Sequence, residues 1–443
     1  MKFPIKKIHS ITALLVLAGM YAGCTKGPRL KDYTYPEPQP KSMFPDSGYA
    51  GFATVTITGS TFGDYKDVVK VFFNGIQADS ILSCEDGKIV ARVPKNALSG
   101  KVSLQVWTHI VDSIGQFNIV AAPVVLSTNK DIGLPGETVV ITGAGFGIDP
   151  AKVKVDFNGT TGTITTINDS TLNVTLPQGF TSGNIVVSVN NYPVTGPLFR
   201  AVATVPNPIY WLSFEGNLTD NMGGAAATYT YKTPEGKPMS YVNGIAGQAV
   251  KLEGTYNLTT TNNQVLALPA QITRQKELTV ACWVNWTNDS TNWVQEPVFD
   301  AGAARGQRIC LMTRMNSGFG TGYLNMIGRS VFENINGFGT PPTYFNAIGK
   351  GPLPPKEWHH VAMVISVTNR IERIYMDGVE VGSVTLTAAA DHTVYSHSKV
   401  YIGSPTNGVT KEPALGGMID EFQIYNQALT ADQVFAIYYK NKP

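Results

Sequence analysis

The chain has 443 residues, room for about three domains at roughly 150 residues each. With 43% hydrophobic and 10% aromatic residues it has ample surface to bury, which excludes a disordered polymer. Thirty-four basic residues stand against 32 acidic ones. Loss of a leader carrying Lys2, Lys6 and Lys7 would leave 31 against 32, a balance that excludes nucleic acid as an electrostatic partner.

Those three lysines precede a short apolar run, Ile11 to Met20, and then Tyr21-Ala22-Gly23-Cys24. The run is about half of the ~20 residues a spanning helix needs, so residues 1–23 read as a cleaved signal peptide. Small residues directly before a cysteine resemble the bacterial lipobox, which implies that Cys24 is acylated and becomes the mature N-terminus. Thr25 in the next position implies the outer membrane. The plainer alternative is an ordinary secretory signal with a coincidental cysteine. Residues 24–44 carry Pro28, Pro36, Pro38 and Pro40 and predict an extended, semi-rigid linker.

An internal repeat follows. Thr54-Val55-Thr56-Ile57-Thr58-Gly59 with Phe62-Gly63 recurs as Val139-Val140-Ile141-Thr142-Gly143 with Phe146-Gly147. Phe73-Asn74-Gly75 recurs as Phe157-Asn158-Gly159, and Val93-Pro94 with Ser99-Gly100 as Leu176-Pro177 with Ser182-Gly183. Short alternating runs such as residues 101–106 and 184–189, separated by Gly and Asn turns, predict antiparallel sandwiches. The pattern resembles the IPT/TIG family of immunoglobulin-like domains over 45–121 and 122–204. Gly143-Ala144-Gly145-Phe146-Gly147 imitates a dinucleotide loop, but the continuation reads as a strand where that fingerprint needs a helix, so these glycines are turn residues.

Residues 205–443 hold five of the six tryptophans. Glu277 to Trp286 predicts a strand buried on both faces, Trp358 to Val364 another, and Arg373 to Val381 a hairpin with Asp377-Gly378 in a type I′ turn. A short C-terminal helix should open on Thr430 with Gln433 three residues on. The segments W-L-S-F-E-G-N-L-T-D (211–220), L-T-V-A-C-W-V (278–284), E-W-H-H-V-A (357–362), I-Y-M-D-G-V (374–379), V-Y-I-G (400–403) and G-M-I-D-E-F-Q-I-Y-N-Q-A-L-T (417–430) resemble, in order, the LamG/concanavalin A-like jelly-roll family. The expected architecture is all-β: two tandem immunoglobulin-like sandwiches followed by a large jelly-roll sandwich. The resemblance implies a lectin-like domain, often carbohydrate-binding and occasionally catalytic.

Two catalytic signatures are missing from the sequence. Glucanases of this architecture set carboxylates on one strand as E-x-D-x-x-E, and no such motif occurs. Asp420 and Glu421 are adjacent, so regular alternation would point them to opposite faces. No G-x-S-x-G occurs either, and the expectation is a protein that is not an enzyme. His359-His360 lack a zinc-ligand set around them and read as packing residues. Cys282 and Cys310 sit in apolar strand contexts and read as buried thiols more readily than as a disulfide.

The resemblance also implies a structural Ca²⁺ tying Glu215, Asn217 and Asp220 to Asp420 of the final strand, against the alternative that these residues cap turns. A sugar site needs an aromatic platform beside amides and charged groups. Asn292 and Trp293 at the end of one polar loop, Tyr344 in a second loop read over 338–346, and Arg305 are the candidates; Arg308 and Arg314 either serve acidic sugars or face solvent. The reading is a cell-surface lipoprotein of the outer membrane that captures extracellular polysaccharide, with room for a surface-protein complex. The rival is a protein-binding adhesin or scaffold without a sugar site.

Overall fold

The computed structural model describes residues 35–231, 237–254, 264–286, 295–304, 307–315, 324–332, 343–349, 354–406 and 414–442. The chain divides into two compact units, one ending at Ala122 and the other running from Pro123.

The first unit is a two-sheet sandwich. One sheet orders strands Gln39–Phe44, Thr54–Ser60, Lys88–Arg92 and Ser80–Glu85; the other orders Ser47–Gly48, His109–Ile119, Gly100–Val106, Val69–Phe73 and Ile76–Gln77. Alternation decides the inner face: Val55, Ile57, Ile89 and Ala91 meet Val71, Phe73, Val102, Leu104 and Phe117. Gln39–Phe44 pairs with Thr54–Ser60, so the domain opens before residue 45 and the Pro-rich linker is shorter than the sequence suggested.

The second unit begins with the same sandwich. Its sheets order Val124–Thr128, Thr138–Ala144, Thr171–Thr175 and Thr163–Asn168, and Ile132–Gly133, Tyr192–Ala201, Gly183–Val189, Val153–Phe157 and Thr160–Thr161. The repeated glycine of the T-G-x-x-F-G motif has a steric cause. A Cβ at Gly143 would collide with the Val124 carbonyl and the Phe146 ring, and one at Gly59 with the Gln39 carbonyl and the Phe62 ring. The glycine-rich loop at 143–147 leads through a one-turn 3₁₀ segment, Pro150–Lys152, into a strand.

The C-terminal domain is a larger sandwich. Its first sheet orders Ser240–Asn243, Gln248–Leu252, Gly417–Tyr425, Glu277–Trp286, His359–Ser366, Ile371–Met376 and Val379–Thr385, with Tyr210–Leu212 also paired to Gly417–Tyr425. Its second orders Thr228–Tyr231, Gln264–Ala267, Lys399–Ile402, Gln295–Ala304, Gln307–Met315, Leu324–Phe332 and Thr343–Ile348. Between them Val280, Cys282, Val284, Trp286, Met363 and Ile424 pack against Phe299, Ile309, Leu311, Phe332 and Ile402. The first sheet is apolar on its other face as well, which explains the continuous burial of Leu278 to Trp286. There Ala281, Ala362, Val364, Tyr375 and Tyr425 receive Val434 and Ile437 of helix Ala431–Lys440.

That helix has the expected capping box: Gln433 N donates to Thr430 Oγ1 (3.3 Å) and Thr430 N to Gln433 Oε1 (2.9 Å). It also meets the second immunoglobulin-like sandwich. Ser182 N donates to Asp432 Oδ2 (3.1 Å), Gln433 Nε2 to the Thr204 carbonyl (3.2 Å), and Arg200 lies 4.9 Å over the Phe435 ring. Asp377 and Gly378 both have positive φ, +50° and +75°, as a type I′ turn requires.

Candidate functional site

In an antiparallel sheet, residues directly opposite one another share a face. The register of the second sheet therefore builds two rows: Tyr401, Asp300, Cys310, Arg329 and Asn346 in one, and Lys399, Gly302, Arg308, Val331 and Tyr344 in the next. Their strand neighbours Phe299, Ala301, Ile309, Phe332 and Phe345 fill the core, so both rows lie on the outer face.

The middle of that face is buried. Arg308 Nη1 lies 3.0 Å from Asp300 Oδ2, with side chains 2% and 0% exposed, and Thr406 Oγ1 donates to Asp300 Oδ1 at 2.8 Å. Cys310, Met312 and Ile327 form a small apolar cluster beside the pair, with Ile348 packed against it. Arg308 therefore neither faces solvent nor offers its charge to a ligand. It neutralises Asp300.

The edge of the face is open. Tyr344 is 47% exposed, and the Arg329 guanidinium stands 5.5 Å from its ring centroid, within cation–π range. Arg329 Nε donates to Asn346 Oδ1 (2.8 Å), which fixes the amide with its oxygen toward the guanidinium. A flat ring, a guanidinium and an oriented amide thus share one sheet edge, the equipment for stacking on a ring while bonding to hydroxyl or carboxylate oxygens. Behind them, Ser330 Oγ donates to Glu372 Oε2 (2.5 Å) from the opposing sheet. Burial pushes the Glu372 carboxyl up to about 8, against the opposing pull of Ser330 and Arg329.

Tyr344 was expected in a loop, but Thr343–Ile348 is a strand paired to Leu324–Phe332. Residues 338–342 of that predicted loop, and the candidates Asn292, Trp293 and Arg305, lie outside the described residues, as does Cys24. The register of the described strands fixes the length of the sheet. Ala304 pairs with Gln307 and Phe332 with Thr343 at one end of the sheet, while Gln295 pairs with Arg314 at the other. Ten residues of strand separate those ends, about 30 Å at ~3.3 Å per residue.

The carboxylates singled out for Ca²⁺ hold backbone turns. Asp420 Oδ2 accepts from Ile245 N (2.9 Å) and Ala246 N (3.0 Å), and its Oδ1 from Glu421 N (2.8 Å). Glu215 Oε1 accepts from Gln248 N (3.1 Å) in the same turn. Asp220 instead accepts from Trp211, Met222 and Gly224, and Asn217 from Thr219. The four residues thus serve two separate turns, and no group of three His, Cys, Asp or Glu is arranged to hold a metal among the described residues.

Alternation fails at Glu421. Ala281 pairs with Gln423 but Trp283 with Asp420, so a bulge inserts one residue there, and Glu421 has φ +50°. At such a bulge Asp420 and Glu421 are not bound to diverge as regular alternation required. Burial pushes Asp420 up to about 6 and, with the Asp420 charge beside it, Glu421 up to about 7. Gln423 Nε2 donates to Glu421 Oε2 at 3.4 Å, and Tyr425 donates to Gln423 (2.6 Å).

The histidines are packing groups. His360 is 1% exposed against Trp283 and Tyr438, and burial pushes it down to about 4; His359 Nδ1 lies 2.8 Å from Asp377 Oδ2. Cys282 and Cys310 are buried thiols that form no disulfide. Sequence reasoning missed a shallow recess of about 600 Å³ lined by Arg274, Gln275, Lys276, Glu277, Thr393 and Asn426. It offers no aromatic ring, and Arg274 Nε is engaged by the Thr393 carbonyl (2.6 Å).

These domains define a modular all-β protein whose terminal sandwich has a lectin-like layout. The IPT/TIG domain model matches residues 38–118 and 123–200, and the model for the concanavalin A-like lectin/glucanases superfamily matches 253–435. The chain carries two IPT/TIG domains and a C-terminal concanavalin A-like domain of the laminin-G type.

Among solved structures it is similar to domain 4 of AbnA, an extracellular arabinanase from Geobacillus stearothermophilus solved with arabinotriose, at 21% identity, covering 53% of this chain and 100% of that one, TM-score 0.40. It is also similar to a carbohydrate-binding module of a Ruminococcus gnavus sialidase bound to α2,3-sialyllactose (13%, 43% and 96%, 0.32) and to a pentraxin from Limulus polyphemus (19%, 39% and 72%, 0.28). At these scores the likenesses carry no argument about a ligand. No match was found among curated proteins.

Proposed function

We propose that the chain is a non-catalytic glycan-binding protein whose C-terminal domain holds saccharide on the outer edge of its second sheet. The observation that carries this reading is the exposed Tyr344 beside Arg329 and Asn346. Tyr344 offers a face to the C–H side of a sugar ring, and Arg329 and Asn346 supply donors to its oxygens. Arg305, Trp293 and Asn292, which lie outside the described residues, stay in this reading as further candidates for contact with the saccharide. The IPT/TIG domains act as spacers, and acylated Cys24 would anchor the protein at the outer-membrane surface.

Affinity electrophoresis of the full chain through gels containing single polysaccharides tests the reading. Tyr344→Ala should lose most of the retardation with an unchanged melting curve, because the ring is not part of the core. A wild-type chain that is retarded in no polysaccharide gel, yet captures a protein partner, would replace this reading with the adhesin.

A further inference from the structure

The two IPT/TIG copies share a framework but not a surface, and the second copy serves as an internal control for the first. Trp107 N donates to the Val68 carbonyl (3.1 Å) as Asn190 N donates to the Lys152 carbonyl (2.8 Å), so the two residues hold one position. Their φ angles agree, +53° and +49°. Asparagine tolerates that left-handed conformation, whereas a bulky side chain there is an outlier. A second exchange lies at the 3₁₀ turn. Asp149 caps Pro150–Lys152 by accepting from Ala151 N (3.0 Å), but the equivalent residue before Lys66–Val68 is Tyr65, which makes no side-chain cap. A third lies at the domain's entry. Gln39 pairs with Ser60 as Val124 pairs with Ala144, so Tyr35 corresponds to Val120.

These three departures converge. The Tyr35 and Trp107 rings lie 4.6 Å apart with planes 22° from parallel, and Tyr65 and Trp107 lie 6.4 Å apart at 25°. None belongs to the domain core, and they remain 43%, 39% and 57% exposed. Side chains hold the backbone of the strip: Gln105 Nε2 donates to the Trp107 carbonyl (2.8 Å), and His109 Nε2 sits 2.8 Å from the Tyr35 carbonyl. Folding alone does not require the rings, since the second copy folds with Asn190 and Asp149 in those places. Backbone strain and a forgone cap, accepted in the copy that displays aromatics, point to use of the rings themselves.

We propose that Tyr35, Trp107 and Tyr65 form a second glycan platform, on the first IPT/TIG domain and separate from the Tyr344 site. The choice of glycan as occupant rests on the function proposed above; the location does not. The Trp107 ring lies within 25° of parallel to each tyrosine ring, and the exposed ring surface of the three, with two phenolic hydroxyls attached, suits the C–H faces and hydroxyls of successive sugar units. A stable protein interface needs about 800 Å² per partner around an apolar centre, more than three half-exposed rings supply. An anionic lipid surface calls for a basic rim, whereas Asp64, Lys66 and Asp67 around Tyr65 sum to a negative charge. Two platforms on one chain would bind a long polysaccharide by avidity.

The test uses the full chain carrying Trp107→Asn and Tyr65→Asp, which installs the residues the second copy folds with. In affinity gels of soluble starch, galactomannan, arabinoxylan or arabinan, binding to the retarding polysaccharide should weaken by at least about tenfold, with melting unchanged or raised. Tyr35→Ala should weaken it too. If the double variant loses its near-UV circular dichroism, Tyr65→Asp alone, at a side chain outside the core, carries the test with the same expected direction. Undiminished retardation in a folded variant, while Tyr344→Ala loses it, overturns this platform and leaves the C-terminal site standing. Loss of co-sedimentation with phosphatidylethanolamine–phosphatidylglycerol vesicles but not of glycan binding overturns it in favour of a membrane contact. A wild-type chain retarded by none of the gels overturns both readings.

Discussion

Replacing Asp300 by Asn should destabilise the C-terminal domain far more than a surface charge change would. Asp300 and Arg308 are sealed from water, 3.0 Å apart, and Thr406 occupies the second carboxylate oxygen. A neutral amide at that position would remove a carboxylate charge 3.0 Å from the buried Arg308 guanidinium, a loss of about 3–5 kcal/mol. For a domain of this size that lowers the melting temperature by roughly 6–20 °C. Arg308→Met should cost a similar amount, because the buried Asp300 carboxylate would lose its cation. The double replacement Asp300→Leu with Arg308→Met should cost less than the sum of the two single changes, since an apolar pair carries no desolvation penalty, although Thr406 Oγ1 then loses its acceptor.

Tryptophan fluorescence follows this domain selectively, because Trp283 and Trp286 are buried in it and only Trp107 lies outside it. Urea titration of the wild type and the variants, with Asp300→Leu added as the matching single change, gives the cycle. If Asp300→Asn costs less than about 1 kcal/mol, the pair is in contact with water and its burial does not govern stability. Should Arg308→Met instead weaken glycan retardation at unchanged stability, Arg308 faces ligand, and the division between a sealed centre and an open edge at Tyr344 is wrong.

Stability of the same domain should peak near neutral or mildly acidic pH. Burial raises Glu372 to about 8, Glu421 to about 7 and Asp420 to about 6, so the folded state holds protons that the unfolded chain releases, and stability falls as pH rises from 6 toward 9. Burial lowers His360 to about 4, His392 to about 3 and His397 to about 4, so below about 6.5 the unfolded chain takes up protons first and stability falls again. A melting temperature that rises steadily to pH 9 would contradict the raised carboxyls. Thorough chelation should leave the domain's melting unchanged, whereas Asp420→Ala, which frees three backbone donors, should lower it; a drop on chelation alone would return Ca²⁺ to the Glu215–Asp420 turn. Cys24→Ala should move the protein from the membrane to the soluble fraction, and firm membrane retention of that variant would sink the lipid-anchor proposal.

Much of the fold was legible because it is written in short-range patterns. Period-two burial at Val55 and Ile57, and again at Val139 and Ile141, follows from the backbone alone. The unbroken apolar run from Leu278 announced a strand covered on both faces, the Asp377-Gly378 pair its turn, and Thr430 with Gln433 its helix start. Each involves residues within a few positions of one another.

What escaped depends on register between strands far apart in sequence. Arg308 looked like a surface cation because nothing near it in the chain shows that Asp300 and Thr406 will enclose it. Glu421 looked like the outward half of an alternating pair because a bulge arises from pairing with Ala281 and Trp283, some 140 residues earlier. Tyr344 looked like loop because its strand is an edge, exposed enough to be polar. Trp107 looked like any aromatic until its left-handed turn was laid over that of Asn190. Sequence by itself determined the element types, the repeat and the family, because hydrophobic periodicity and turn chemistry act locally. Only the tertiary structure decided which charges are sealed and which rings are offered, because burial is settled by partners that the chain brings together on folding.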